Sequence, residues 1–236
     1  MSSATGQVRA NPIFCAVDTT DLVDACALAH MVGPHVGGLK LGLEFWNSHG
    51  APGVAEVMAR APHARLFLDL KLHDIPNTVA GAVRALANVD FDVLTVHAGG
   101  GTAMMHAARD AAPSHAAIVG VTVLTSLDDD DMAELGTGAV SDQVERLAGL
   151  AREAGLSGIV CSPLEVAARQ AEWPDGLFVV PGIRPAGSAH GDQKRVMTPP
   201  EALAAGAGIL VIGRPITGAD DPAVAAEAVA ASLDRS

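Results

Sequence analysis

Eight short apolar runs recur along the 236-residue chain, at 13–17, 38–43, 66–70, 91–96, 117–123, 158–161, 177–180 and 209–212. Alanine-rich helical stretches follow most of them, around 21–32, 51–60, 78–88, 101–111, 141–154, 163–171 and 222–232. The seventh connection, 182–206, reads mostly as loop, with a short helix near 199–205. Strands alternating with helices require parallel pairing and right-handed crossovers. Strands that read as continuous apolar runs are buried on both faces. Eight such units in a chain of this length predict an α/β fold, a (β/α)8 TIM barrel in one domain spanning 1–236. A doubly wound open sheet is the alternative. Residues 1–11 precede the first run and read as a flexible N-terminal extension. The acidic run 128–131 is a solvated loop or the start of a helix.

Composition narrows the function. Apolar residues make up 49% of the chain and charged ones 18%, which excludes disorder as the main state. Aromatics are 3% and tyrosine is absent, so small aliphatic side chains must fill the core. A formal net charge of -12 disfavours nonspecific binding to nucleic acid, yet permits a phosphorylated small substrate that needs only a local positive site. Cys15, Cys26 and Cys161 have no CxxC spacing, which fits reduced thiols in the cytoplasm. No zinc, HxH or HExxH spacing is present, and no thiamine, pyridoxal or flavin motif. The sequence shows neither a signal-peptide h-region nor an apolar stretch of about 18 residues, so a membrane location is not expected.

Polar groups gather at one end of strand after strand. Asp18 follows the first run, Lys40 lies in the second, Asp69 and Lys71 in the third, and His97 ends the fourth. Thr122 to Ser126 end the fifth, Pro181 to Arg184 the seventh, and Gly213 and Arg214 the eighth. In a barrel these C-terminal strand ends form the active site. The richest stretch is RLFLDLKLHDIPNT at 65–78. Strand alternation puts Asp69 and Lys71 on one face, where burial is costly unless they pair or work. Asp74 follows, then Pro76 at a helix start, then Thr78. Lys40, Asp69, Lys71 and Asp74 form a reactive set of alternating charges that holds each amine protonated and each carboxylate ionised. A structural ion pair is the plainer account of Asp69 and Lys71 taken alone. His97 reads as a supporting or core histidine, and His73 is given no role. Gly182, Arg184, Gln193, Gly213 and Arg214 suit a phosphate, because glycine admits backbone amides and arginine offers a planar fork of donors. The loop 184–197 reads as a lid. Thr125 and Ser126 offer a hydroxyl or backbone amide to a carbonyl.

The string Asp69-x-Lys71-x-x-Asp74-Ile75-Pro76-x-Thr78 resembles the signature of the orotidine 5′-phosphate decarboxylases. Asp18, Lys40 in GLKLG, VTVLTS at 121–126, PGIRP at 181–185, GDQKRV at 191–196 and IGRPI at 212–216 extend the resemblance over nearly the whole chain. It implies a barrel homodimer with sites at the interface, using no metal and no cofactor. Lys71 would protonate C6 of the pyrimidine as carbon dioxide leaves, with Asp69 against the substrate carboxylate. Lys40 would hold the network and touch ribose, and Asp18 would bind a ribose hydroxyl. Asp74, Ile75 and Thr78 would reach into the neighbouring subunit's site. Thr125 or Ser126 would meet the pyrimidine. Gln193 and Arg214 would grip phosphate with Gly213 as backbone donor, and Pro181 and Arg184 would line the same site. Metal-dependent sugar-phosphate relatives share Asp-x-Lys-x-x-Asp but lack the Ile-Pro-x-Thr that follows it here. A non-catalytic phosphate-binding barrel is the rival from another class.

Overall fold

The computed structural model describes residues 11–185 and 197–233. Its eight strands close into a parallel barrel in chain order: β1 (Ile13–Ala16), β2 (Gly38–Gly42), β3 (Arg65–Leu72), β4 (Val93–His97), β5 (Ala117–Val121), β6 (Gly158–Val160), β7 (Leu177–Val180) and β8 (Ile209–Ile212). Pairing of β1 with both β2 and β8 closes the ring, which rules out the open sheet. The helices are α1 (Leu22–Val32), α2 (Leu43–Met58), α3 (Pro76–Ala85), α4 (Gly101–Ala111), α5 (Asp129–Glu134), α6 (Val140–Glu153), α7 (Val166–Glu172), α8 (Pro199–Ala204), α9 (Arg214–Thr217) and α10 (Pro222–Leu233). Asn11 lies at the barrel's edge: its side chain donates to His35 O and accepts from Ile13 N, both at 3.0 Å. The remainder of the expected extension falls outside the described residues.

Each strand sends alternate side chains to two cores. Phe14 and Ala16, with Phe67, Val93, Val119, Leu177, Val179, Ile209 and Val211, fill the barrel interior. Ile13, Cys15 and Val17 turn outward, into the larger core beneath the helices. Phe14 and Phe67 meet edge to face with ring centroids 6.2 Å apart and plug the interior below the strand ends. Space there is tight: a Cβ on Gly38 would come 2.2 Å from the Phe14 ring. With its lower half plugged, the barrel interior opens to a ligand at its C-terminal mouth.

Two departures from the sequence pattern matter, in α2 and β3, and one open alternative, the acidic run, is decided in favour of a helix start. α2 begins directly after β2 rather than near residue 51, and it is broken at Gly50 (φ 55°, ψ -156°), two residues before Pro52. Proline lacks the N–H to continue the ladder and restricts the residue before it, so the glycine absorbs the kink. The acidic run starts α5, where Asp128 and Asp131 cap each other's backbone N–H groups. β3 runs past the expected end at residue 70, and its extra length is irregular, as described below.

The cysteines are free. Burial, with Asp18 nearby, pushes the Cys15 thiol up to about 12, and burial pushes Cys161 up as well. Cys26 is only half-buried. In the native protein a thiol reagent at pH 8 is therefore expected to titrate Cys26 rapidly and the other two only after denaturant is added. Two or three fast thiols would contradict the packing under β1 and β6.

Candidate active site

A cavity of about 260 Å³ opens at the C-terminal mouth of the barrel. Its floor is apolar, made by Ala16, Phe67, Val121, Val160, Val179 and Val211. Its rim carries charge on both sides: Asp18, Lys40, Asp69 and Lys71 from the first three strand ends, and Arg184 and Arg214 from the last two. A small molecule with a flat apolar part and an anionic tail fits this division.

The first group is a chain of alternating charges. Asp18 Oδ1 accepts from Lys40 Nζ at 2.9 Å. Lys40 Nζ lies 3.7 Å from Asp69 Oδ2, which also accepts from Lys71 Nζ at 2.6 Å. Lys40 is buried and only 15% of the Asp69 side chain is exposed, so neither charge is tolerable unpaired. Burial raises the Asp69 pKa most strongly, but the two ammonium groups and the hydrogen bonds from Lys71 and Thr95 together outweigh it. The net effect holds Asp69 below the ordinary carboxylate range, ionised at neutral pH.

Simple pleating does not bring Asp69 and Lys71 together. β3 pairs with β4 at Leu68↔Leu94 and next at Leu72↔Val96, so four steps on one strand oppose two on the other. Lys71 sits in this bulge at φ 48°, a left-handed conformation that costs a non-glycine residue roughly 1–2 kcal/mol. Bulges of this kind re-aim side chains near functional sites. Here the bulge turns the Lys71 ammonium back onto Asp69 while keeping it 29% exposed at the cavity. The bulge also removes the ladder partner of Lys71 N–H, which donates instead to Thr95 Oγ1 at 2.8 Å. Thr95 Oγ1 in turn donates to Asp69 Oδ1 at 3.0 Å. Sequence reasoning passed over Thr95, a lone hydroxyl in the apolar run of β4. The one available signal was a polar side chain on a strand with no solvent face.

The other expected residues divide. Pro181, Gly182, Arg184, Gly213 and Arg214 all line the cavity. Arg184 is buried, donates to Ile183 O at 3.0 Å, and has its pKa lowered by burial and by the charge of Arg214. Two guanidinium groups that repel across a cavity favour an anion between them. Thr125 lines the cavity, whereas Ser126 is exposed and lies outside it. Gln193 and most of the 184–197 loop fall outside the described residues. Asp74, Ile75 and Thr78 are exposed and do not line this chain's own cavity. Asp74 accepts from Ile75 N at 2.6 Å and makes no ion pair among the described residues. The set expected from the sequence was Lys40, Asp69, Lys71 and Asp74; within one chain the linked charges are instead Asp18, Lys40, Asp69 and Lys71. His97 stacks against His73 with centroids 5.3 Å apart, and burial, His73 and Lys71 lower its pKa, so it is neutral at pH 7. Among the described residues no cluster of three or more His, Cys, Asp or Glu has a metal-holding arrangement. No helix among them is long and apolar enough to cross a membrane.

Residues 11–229 match the family described as Orotidine 5′-phosphate decarboxylase / HUMPS family. The chain belongs to this family. A protein named orotidine 5′-phosphate decarboxylase from Novosphingobium aromaticivorans is 56% identical over 224 residues, 94% of this chain and 99% of the relative. One of the same name from Rhodospirillum rubrum is 55% identical over 237 residues, covering 96% of each. The crystal structure of orotidine 5′-phosphate decarboxylase from Lactobacillus acidophilus superposes with a TM-score of 0.82 at 34% identity, covering 95% of this chain and 99% of that one. The similarity spans the barrel from end to end, so every strand that feeds the cavity lies within the orotidine 5′-phosphate decarboxylase / HUMPS match.

Proposed function

We propose that this protein converts orotidine 5′-phosphate to UMP and carbon dioxide, the closing step of de novo UMP synthesis, through the Asp18–Lys40–Asp69–Lys71 chain without a metal or organic cofactor. The observation that carries the reading is the position of Lys71. Its ammonium stands at the cavity on a strained, bulged strand end, bonded to an ionised carboxylate and opposite two arginines.

The chemistry follows from the charges. The C6–carboxylate bond breaks, carbon dioxide departs, and the electron pair stays on C6, where the ring delocalises it poorly. The ammonium of Lys71 stabilises that charge as it develops and then gives C6 its proton. Water returns the proton to Lys71. Asp69 stands against the substrate carboxylate, and their repulsion is relieved as carbon dioxide forms. Lys40 fixes Asp69 and, with Asp18, meets the ribose hydroxyls. Thr125 faces the pyrimidine; Ser126, outside the cavity, is the weaker of the two candidates. Arg184, Arg214, Gln193, Pro181 and the Gly213 amide surround the phosphate, whose binding energy holds the ring over Lys71. Because Asp69 already accepts from Lys71 and Thr95 and faces Lys40, it is a poor ligand for a cation.

Asp74, Ile75 and Thr78 serve the site of a second copy. Their exposure at the end of β3, beside but outside the chain's own cavity, supports a homodimer in which this turn completes the neighbouring site. The free cysteines suit a cytoplasmic enzyme.

The test is the ultraviolet absorbance change of orotidine 5′-phosphate with and without excess chelator. Equal turnover in both supports the proposal. Turnover lost with chelation, or found only with a keto-sugar phosphate, would place the chain with the metal-dependent members of its family.

A further inference from the structure

We infer that Thr95 is a positioning residue for this reaction, its single hydroxyl locking the Lys71 backbone and the Asp69 carboxylate into one geometry. The inference rests on the decarboxylase reading above. Its direction follows from hydrogen-bond inventory alone. The Lys71 amide is only a donor, so Thr95 Oγ1 must accept from it at 2.8 Å. The ionised Asp69 carboxylate is only an acceptor, so the hydroxyl proton must go to Oδ1 at 3.0 Å. Both capacities of the hydroxyl are thereby used in one orientation. Thr95 is wholly buried, so no water replaces either bond.

The coupling is specific to the bulge. Where β3 departs from its register with β4, the Lys71 amide has no ladder partner and the backbone takes a left-handed turn at φ 48°. Such a conformation persists only where its surroundings over-determine it. Thr95 supplies that constraint from the neighbouring strand, and with the same atom it leaves Asp69 Oδ2 turned toward Lys71 and Lys40. Without the hydroxyl, the backbone loses its reason to stay turned and the carboxylate is free to rotate. The ammonium then no longer points at the position of C6, and misplacement of about 1 Å is worth on the order of a hundredfold in rate.

The experiment compares wild type with Thr95→Val, Thr95→Ser and Thr95→Cys, measuring kcat, KM and Tm for each. Valine keeps the shape and deletes the hydroxyl. Serine keeps the hydroxyl, and cysteine replaces it with a weak donor. Thr95→Val is expected to lower kcat roughly 10–100-fold with KM changed less than about threefold. Thr95→Ser should recover kcat to within about fivefold of wild type, because the hydroxyl returns. If Thr95→Val fails to fold, Thr95→Cys decides, with kcat well below that of the serine variant at similar Tm. Valine or cysteine variants with wild-type kcat would overturn the inference. So would equal losses in all three variants that track Tm. A wild-type protein that does not turn over orotidine 5′-phosphate would instead defeat the parent reading.

Discussion

Replacement of Lys71 by alanine is expected to reduce kcat by at least about 10⁴-fold while the barrel survives. On the proposed mechanism the loss combines two roles of one group: the charge opposite the developing carbanion and the proton that quenches it. Structural damage is limited. The Lys71 side chain is 29% exposed, and Asp69 retains Lys40 at 3.7 Å and the Thr95 hydroxyl at 3.0 Å. The left-handed backbone is about as strained for alanine as for lysine. The melting temperature should therefore shift by only a few degrees, roughly what 1 kcal/mol produces in a domain of this size. Lys71→Arg separates the two roles. Arginine keeps the charge but does not release a proton at neutral pH, so the variant should also be nearly inactive. Turnover within tenfold of wild type in Lys71→Ala, measured on folded protein, would remove Lys71 from the chemistry.

What was legible in the sequence follows from what each element needs. Strands buried on both faces must be apolar along their length, so 177–180 and 209–212 announce themselves and match β7 and β8 residue for residue. Asp18, Lys40, Arg184 and Arg214 were also readable, because a charge at the end of an apolar run has few places to go. The β3 bulge was not. Nothing in RLFLDLKL marks Lys71 as left-handed, since glycine or asparagine would be the usual sign and lysine occupies the position. The bulge exists because Asp69, Lys40 and Thr95 hold it from three strands, which is information carried by the tertiary structure. Thr95 gave only the faint signal of a hydroxyl in an apolar run, and for the same reason: its value lies in what β3 does beside it. The first half of α2 was missed because 43–50 mixes His, Asn, Ser and Gly, none of which proclaims a helix, and packing of Phe45 overrides propensity there. Asp74 was grouped with Asp69 and Lys71 by proximity in sequence, but the turn before α3 carries it away from its own cavity.

That separation leads to the second large effect. If Asp74 completes a neighbour's site, Asp74→Ala and Lys71→Ala should each be nearly inactive alone, yet recover activity when co-expressed. In a mixed dimer, the subunit bearing Asp74→Ala keeps its own Lys71 and receives Asp74 from the Lys71→Ala partner. That site is intact, while the other site carries both lesions. Random pairing makes about half the dimers mixed and one site in two of those complete, so about a quarter of wild-type activity returns. Restoration to this level has no explanation within a single chain, because neither parent has a complete site. The exposed turn supplies the physical motive. Ile75 is 67% exposed beside Asp74, an apolar side chain with little cover among the described residues. Among the described residues, Asp74 itself accepts only from the adjacent Ile75 amide of its own chain, at 2.6 Å. Set against a second cavity, the isoleucine loses its water and the carboxylate gains the free side of another Lys71. A mixture that stays at the sum of its inactive parents, or an Asp74→Ala variant as active as wild type, would show that each barrel works alone.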